Sequence, residues 1–201
     1  MNAGPEIHAV LLAAGLSTRM SPRNKLLIED TLGIPMVART AAALCASRVD
    51  EITVVTGHQS GAVQDSILRV LASPKLRFVT APDYQHGLSA SLRAGVAALP
   101  TRAAAALVCL GDMPHVSAAM LDIIVGRYDA GQGRLIIVPV HGGMQGNPVL
   151  WDRRFFPDIM GLSGDAGAKL LLARHATHCS VIDLGSDAVL RDFDTPDALV
   201  E

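Results

Sequence analysis

Aromatic side chains are nearly missing from this sequence, at 3% of its residues. A core therefore has to be assembled from Ala, Val, Leu and Ile, in a chain whose residues are half apolar. Charge is sparse as well: Asp, Glu, Lys and Arg together make up 18%, which excludes long charged, disordered tails. The formal net charge is -2 and no basic stripe is visible, so nucleic acid is not an expected partner. Any phosphate must be held locally, by a few residues of one loop. The three cysteines, Cys45, Cys109 and Cys179, match no metal-ligand spacing and read as small buried hydrophobes in a reducing compartment. The seven histidines show no zinc pattern either. No stretch approaches the ~18 uncharged apolar residues of a membrane helix. The apolar run at 9–15 follows Glu6 and lacks a basic leader, a poor match to a signal peptide. The expectation is a cytoplasmic protein without a membrane partner. Two phosphate-binding fingerprints are missing too. No GxGxxG occurs, which disfavours a standard nicotinamide dehydrogenase, and no GxxxxGK[ST], which disfavours a P-loop enzyme. A serine nucleophile lacks its G-x-S-x-G elbow.

What is present is alternation. The 201 residues suffice for one α/β domain, expected to run over 1–201. Short apolar runs at 7–12, 52–56, 76–80, 105–110 and 135–140 read as buried strands. Longer patterns at 35–46, 61–72 and 89–98 read as helices, and Ser117 as the N-cap of a helix reaching Tyr128. Strand–helix–strand units of this kind predict a mainly parallel sheet covered on both faces, a Rossmann-like three-layer fold. Ligands of such sheets bind beyond the carboxyl ends of the strands, which here means after Leu12, Thr56, Thr80 and Leu110.

Chemistry-bearing residues cluster at those ends. Leu12-Ala13-Ala14-Gly15-Leu16-Ser17-Thr18-Arg19-Met20 brings a strand into a loop of small residues, two hydroxyls and an arginine, and Lys25 follows. Small side chains let backbone N–H groups approach an anion, and Arg19 and Lys25 add positive charge. The same pattern also fits a strand-to-loop turn with a solvated basic pair. Leu110-Gly111-Asp112-Met113-Pro114 puts a carboxylate at a strand's end, suited to magnesium or to capping a turn. Asp192 and Asp194 flank Phe193 near the C-terminus, either a second pair of metal ligands or two solvated acids. Gly87-Leu88-Ser89-Ala90-Ser91 opens a helix with hydroxyls able to read the edge of a base, or simply caps it. Gly146-Asn147-Pro148 lies in a Gly-rich loop of the kind that covers an acceptor, and a further Gly-bearing turn spans 163–169.

Taken together, LAAGLSTRM…KLL, GLSASLRAG, GDMP, GNPVLW, GDAGA and DFDTPD occur in an order that resembles the molybdenum cofactor cytidylyltransferase family, among nucleotidyltransferases that include the guanylyltransferases. The resemblance covers nearly the whole chain. It implies a nucleotide-diphosphosugar transferase fold and transfer of cytidine monophosphate from CTP to the phosphate of molybdopterin, with release of pyrophosphate. By position, Leu12, Ala13, Ala14, Gly15, Ser17, Arg19 and Lys25 resemble the nucleotide loop, with Gly87, Leu88 and Ser91 near the base. Asp112 resembles the magnesium ligand and Asp194, or Asp192, its partner. Lys25, Arg19 and Asp112 would be the catalytic groups, and Gly146, Asn147 and Pro148 would meet the acceptor. Guanylyl-transferring relatives typically read LAGG where this chain has Leu12-Ala13-Ala14-Gly15. The methyl of Ala14 narrows the space beside the base and favours a pyrimidine. The chain departs from the family at Ser21, usually glycine, and at Asn147, often histidine. The implied partners are CTP, a molybdopterin-type phosphorylated acceptor and a client molybdoenzyme. Alternatives are GTP with a pterin, CTP with another phosphorylated acceptor, or a non-catalytic protein that shelters a cofactor.

Overall fold

The computed structural model describes residues 4–20, 23–164 and 167–191. Its framework is an eight-stranded sheet. Four strands run parallel in the order β3 (Leu76–Thr80), β2 (Ile52–Thr56), β1 (Ile7–Ala13) and β4 (Ala105–Leu110). Beyond β4 come β7 (Val149–Asp152), antiparallel to both its neighbours, and then β5 (Ile136–His141). The short β6 (Met144–Gln145) pairs with the end of β5, and β8 (Cys179–Asp183) runs parallel to β5 on its outer edge. The expected α/β architecture with a mainly parallel sheet is therefore what forms.

Side-chain alternation explains the layering. Along β1, Ile7, Ala9, Leu11 and Ala13 enter one core, while Val10 and Leu12 enter the other. β4 divides likewise, with Leu107 and Cys109 on the first side and Ala106 and Val108 on the second. A strand buried on both faces has no solvated side, which is why these strands read as continuous apolar runs. Helices α1 (Met36–Ala46), α2 (Ser60–Val70) and α4 (Ala118–Arg127) cover the first face through Leu44, Ile67 and Ile124. Helices α3 (Leu88–Ala97), α5 (Phe156–Met160) and α6 (Lys169–Arg174) cover the second through Leu92, Ile159 and Leu171. The expected cap is in place: the Ser117 hydroxyl accepts from Met120 N–H at 3.3 Å. Pro35 occupies the N-cap position of α1 with extended backbone, one residue before the helix proper.

One irregularity matters for the site. After β5 the chain turns through Gly142-Gly143 and comes back as β6 and then β7 along one edge of β5. Val140 faces Gln145 but Ile137 faces Leu150, so a step of three residues on β5 answers a step of five on the return. The two extra residues fall in the segment Gly146-Asn147-Pro148, whose Asn147–Pro148 bond is cis. This bulge is held from outside: Gly146 N–H donates to Pro139 O and Asn147 N–H to Val189 O, both at 2.8 Å. Only glycine fits the close approach, since a Cβ at position 146 would come within 2.3 Å of the Val189 carbonyl oxygen. Bulges of this kind re-aim a strand where function needs it.

Candidate active site

The loops after β1 and β4 leave the same rim of the sheet and are tied at their base, where Gly111 N–H donates to Leu12 O at 2.9 Å. The first loop curls back on itself. Ser17 adopts a left-handed backbone (φ 50), and its hydroxyl accepts from Lys25 N–H at 3.2 Å and donates to Asn24 Oδ1, also at 3.2 Å. Asn24 caps the 3-10 turn Lys25–Leu27 by accepting from Leu26 N–H, and Leu26 anchors that turn in the core. The consequence is geometric: Lys25 Nζ stands 2.6 Å from Asp112 Oδ2. Asp112 is 8% exposed, so this ion pair is largely shielded from bulk water.

Around the pair opens a cleft of about 440 Å³. Leu12, Ala14, Gly15, Ser17, Lys25 and Asp112 line one side of it, and Gly87, Leu88 and Ser91 the other. Nine sequence-expected residues thus share one cavity. Gly87 makes the turn into α3 with φ 98, a conformation that L side chains rarely adopt. Ala13 turns its methyl into the core on the opposite face, since side chains alternate along a strand, and it is not among the residues lining the cleft. Arg19 falls in the 3-10 turn Thr18–Met20 of the same loop. Ala14 lines the cleft while its methyl packs towards Gly57 and Tyr84. Asp192, Asp194 and Ser21 lie outside the described residues.

Sequence reasoning missed Tyr84 and Gln85, which close the cleft from the segment after β3. The signal was available in the rule that ligands gather beyond strand ends, but these two residues carry no motif. A second cavity of about 240 Å³ adjoins the first and shares Leu12, Leu88 and Leu110 with it. Gly146 and Asn147 line it, together with Gln145, Trp151 and Lys169. Pro148 does not; it borders a crevice near Thr40 and Leu121. Trp151 is 1% exposed, and its indole N–H has no hydrogen-bond partner among the described residues.

Asp112 presents hard oxygen to the cleft, and no group of three His, Cys, Asp or Glu side chains able to hold a metal occurs among the described residues. That donor set suits a magnesium ion, which needs one or two carboxylates and takes its other ligands from phosphate and water. No helix among the described residues is long and apolar enough to cross a membrane.

The family model of the MobA-like NTP transferase domain matches residues 9–179. The molybdenum cofactor cytidylyltransferase of Escherichia coli is 24% identical over 197 residues, which is 96% of this chain and 94% of that protein. The bifunctional protein GlmU of Exiguobacterium sp. is 29% identical over 133 residues, which is 66% of this chain but only 28% of GlmU. Among solved structures, a nucleotidyl transferase from Methanothermobacter thermautotroptrophicus superposes with a TM-score of 0.82 at 26% identity, covering 96% of this chain and 94% of the other. Rv0371C of Mycobacterium tuberculosis, solved as a complex with manganese, superposes with a TM-score of 0.73 at 23% identity, covering 98% and 99%.

Proposed function

The chain belongs to the family of MobA-like NTP transferase domains, and from that premise we propose that it transfers cytidine monophosphate from CTP to the phosphate of a molybdopterin-type acceptor, with magnesium as cofactor. The observation that carries the reading is the 2.6 Å approach of Lys25 to Asp112, two residues far apart in sequence that meet at the mouth of one cleft. Full-length similarity to a molybdenum cofactor cytidylyltransferase supports the choice of acceptor, and an alanine rather than a glycine at position 14 of the cleft lining supports a pyrimidine.

In this reading an acceptor phosphate oxygen attacks the α-phosphorus in line. The new P–O bond forms as the bond to pyrophosphate breaks. The acceptor phosphate is already ionised, so no strong general base is required. Lys25 moves its ammonium from Asp112 towards the charge that develops on the α-phosphoryl oxygens. Ser17 and the backbone of the opening loop, with Arg19, hold the departing pyrophosphate. Asp112 would hold magnesium, with Asp194 or Asp192, which lie outside the described residues, proposed as the second carboxylate. When bound, the ion would neutralise phosphate oxygens and draw charge from the breaking bond. Preorganised positive charge is the main source of acceleration in such chemistry.

Asp112→Asn is expected to lower pyrophosphate release at least about 100-fold while leaving the thermal midpoint near that of the wild type. Near-normal turnover by this variant would refute the role of Asp112. Comparing pyrophosphate release among CTP, GTP, ATP and UTP, with molybdopterin as acceptor, tests the base. A preference for GTP turns the reading to a guanylyltransferase, and silence with all four turns it to a cofactor-sheltering protein.

A further inference from the structure

The second cavity, lined by Gly146 and Asn147 and read here as the acceptor's, has walls of Leu12, Leu92, Val108 and Trp151, and its polar rim comes from the bulge and from the start of α6. A phosphate monoester seated there brings about -1.5 to -2 charges that need a partner. The backbone of the bulge cannot supply it, because the N–H groups of Gly146 and Asn147 are already spent on Pro139 O and Val189 O. Arg191 lines a small adjoining cavity of about 80 Å³, but its guanidinium is paired with Asp187 at 2.7 Å. Lys169 remains. It lines both cavities, it is the only charged side chain among the described residues lining the larger one, and it has no ion-pair partner there. Its side chain is exposed, so its ammonium is free to swing towards an incoming anion.

We propose that Lys169 is a specificity-determining residue of the transfer reaction: it binds the acceptor's phosphate and so selects phosphorylated acceptors over their alcohols. This rests on the reading of the second cavity as the acceptor's. The selection is a charge-assisted contact at the rim of an otherwise apolar pocket, where it is weakened less by water than at an open surface. Lys25 and Lys169 then divide the work, the former serving the nucleotide and the latter the acceptor.

The test uses the full chain, a stable 6-alkylpterin phosphate and its dephosphorylated alcohol. Calorimetry gives the affinities. Emission from Trp151, the chain's single tryptophan, reports whether the ligand sits in this cavity. Wild type should bind the phosphate form at least about tenfold more tightly than the alcohol. Lys169→Gln should lose that preference while keeping the affinity for the alcohol and for CTP, and Lys169→Arg should restore it. Equal binding of the two pterins by wild type, or a preference kept by Lys169→Gln, overturns the proposal. If neither pterin binds, the pterin reading of the acceptor fails separately. Inorganic phosphate titrated with the same readouts then decides for Lys169: tighter binding by wild type than by Lys169→Gln sustains the proposal, and equal or absent binding by the two overturns it.

Discussion

Asn24 is the residue on which the nucleotide loop turns. Its carboxamide oxygen accepts from the Ser17 hydroxyl at 3.2 Å and from Leu26 N–H at 3.1 Å, so it joins the outgoing and returning halves of the loop immediately before Lys25. Its Nδ2 is buried without a partner among the described residues, a cost of about 1–3 kcal/mol that a purely structural asparagine would not be expected to carry. Ser17 adds backbone strain at φ 50. Two unfavourable local features in one loop, each beside a charged group of the cleft, mark the place where precision outweighs stability. Asn24→Ala is therefore expected to lower kcat/KM for the nucleotide by roughly tenfold, because Lys25 loses its fixed origin. Its thermal midpoint should change little, since the lost oxygen contacts are offset by removal of the unpartnered amide. Pyrophosphate-release kinetics beside a melting curve check both halves, and a large drop in melting point with normal kinetics would make Asn24 a scaffold residue only.

Helix α3 is the element that carries Leu88 and Ser91 to the cleft, and it lies unusually close to the sheet. A Cβ on Gly95 would stand 2.4 Å from Val10 Cγ1 and 2.9 Å from Val55 Cγ2. Two effects of Gly95→Ala oppose each other. Alanine improves helix propensity by about 1 kcal/mol. The clash involves stiff β-branched side chains of central strands, and overpacking of that kind costs about 1–3 kcal/mol. The clash should win, lowering the melting temperature by a few degrees and, through displacement of Leu88 and Ser91, raising KM for the nucleotide. A variant as stable as wild type would show that the helix can lift without cost. Elements of this kind also show how far the sequence was legible. The strands at 52–56 and 105–110 fall at the expected residues because burial on both faces leaves a largely apolar run, while the half-buried edge strand at 76–80 shows through Leu76, Phe78 and Val79 despite its exposed Arg77 and Thr80. β8 escaped notice because it is an edge strand with Val181 outward and Asp183 at its end, so it has no such run. The run at 149–151 is apolar in the sequence, but its insertion between β4 and β5 is a long-range pairing that no local pattern encodes. The nucleotide side of the site was legible because loops at strand ends carry it. Lys169 was not, because its meaning depends on which N–H groups and counter-ions the fold has already consumed.

At the scale of the whole molecule, chemistry and stability occupy opposite ends of the sheet. Lys25 and Asp112 sit at the carboxyl rim of β1 and β4. At the other end of β4 the Tyr128 hydroxyl donates to the buried Asp152 carboxylate at 2.7 Å, closing the seam where β7 pairs with β4. Between the two ends, Cys109 lies wholly within the core. Burial pushes the Cys109 thiol far above its ordinary range, and it does the same to the Tyr128 phenol, helped by the hydrogen bond to Asp152. In the unfolded chain these groups titrate near about 8.5 and about 10. A group whose folded pKa is raised stays protonated in the fold after the unfolded chain has released its proton, so rising pH favours the unfolded state. The stability it lends is complete below the unfolded value and disappears as pH climbs towards the folded one. Each such group can cost up to about 1.4 kcal/mol per pH unit within that window. Urea midpoints for the wild type should therefore fall progressively above about pH 8.5 and faster above about pH 10. Cys109→Ala should fall less steeply between those values, and Tyr128→Phe less steeply beyond them. Because neither group touches the cleft, turnover at pH 7 to 8 should be retained by both variants in proportion to the folded fraction. Equal alkaline slopes in wild type and Cys109→Ala would show that charge release elsewhere, and not the buried thiol, governs the loss.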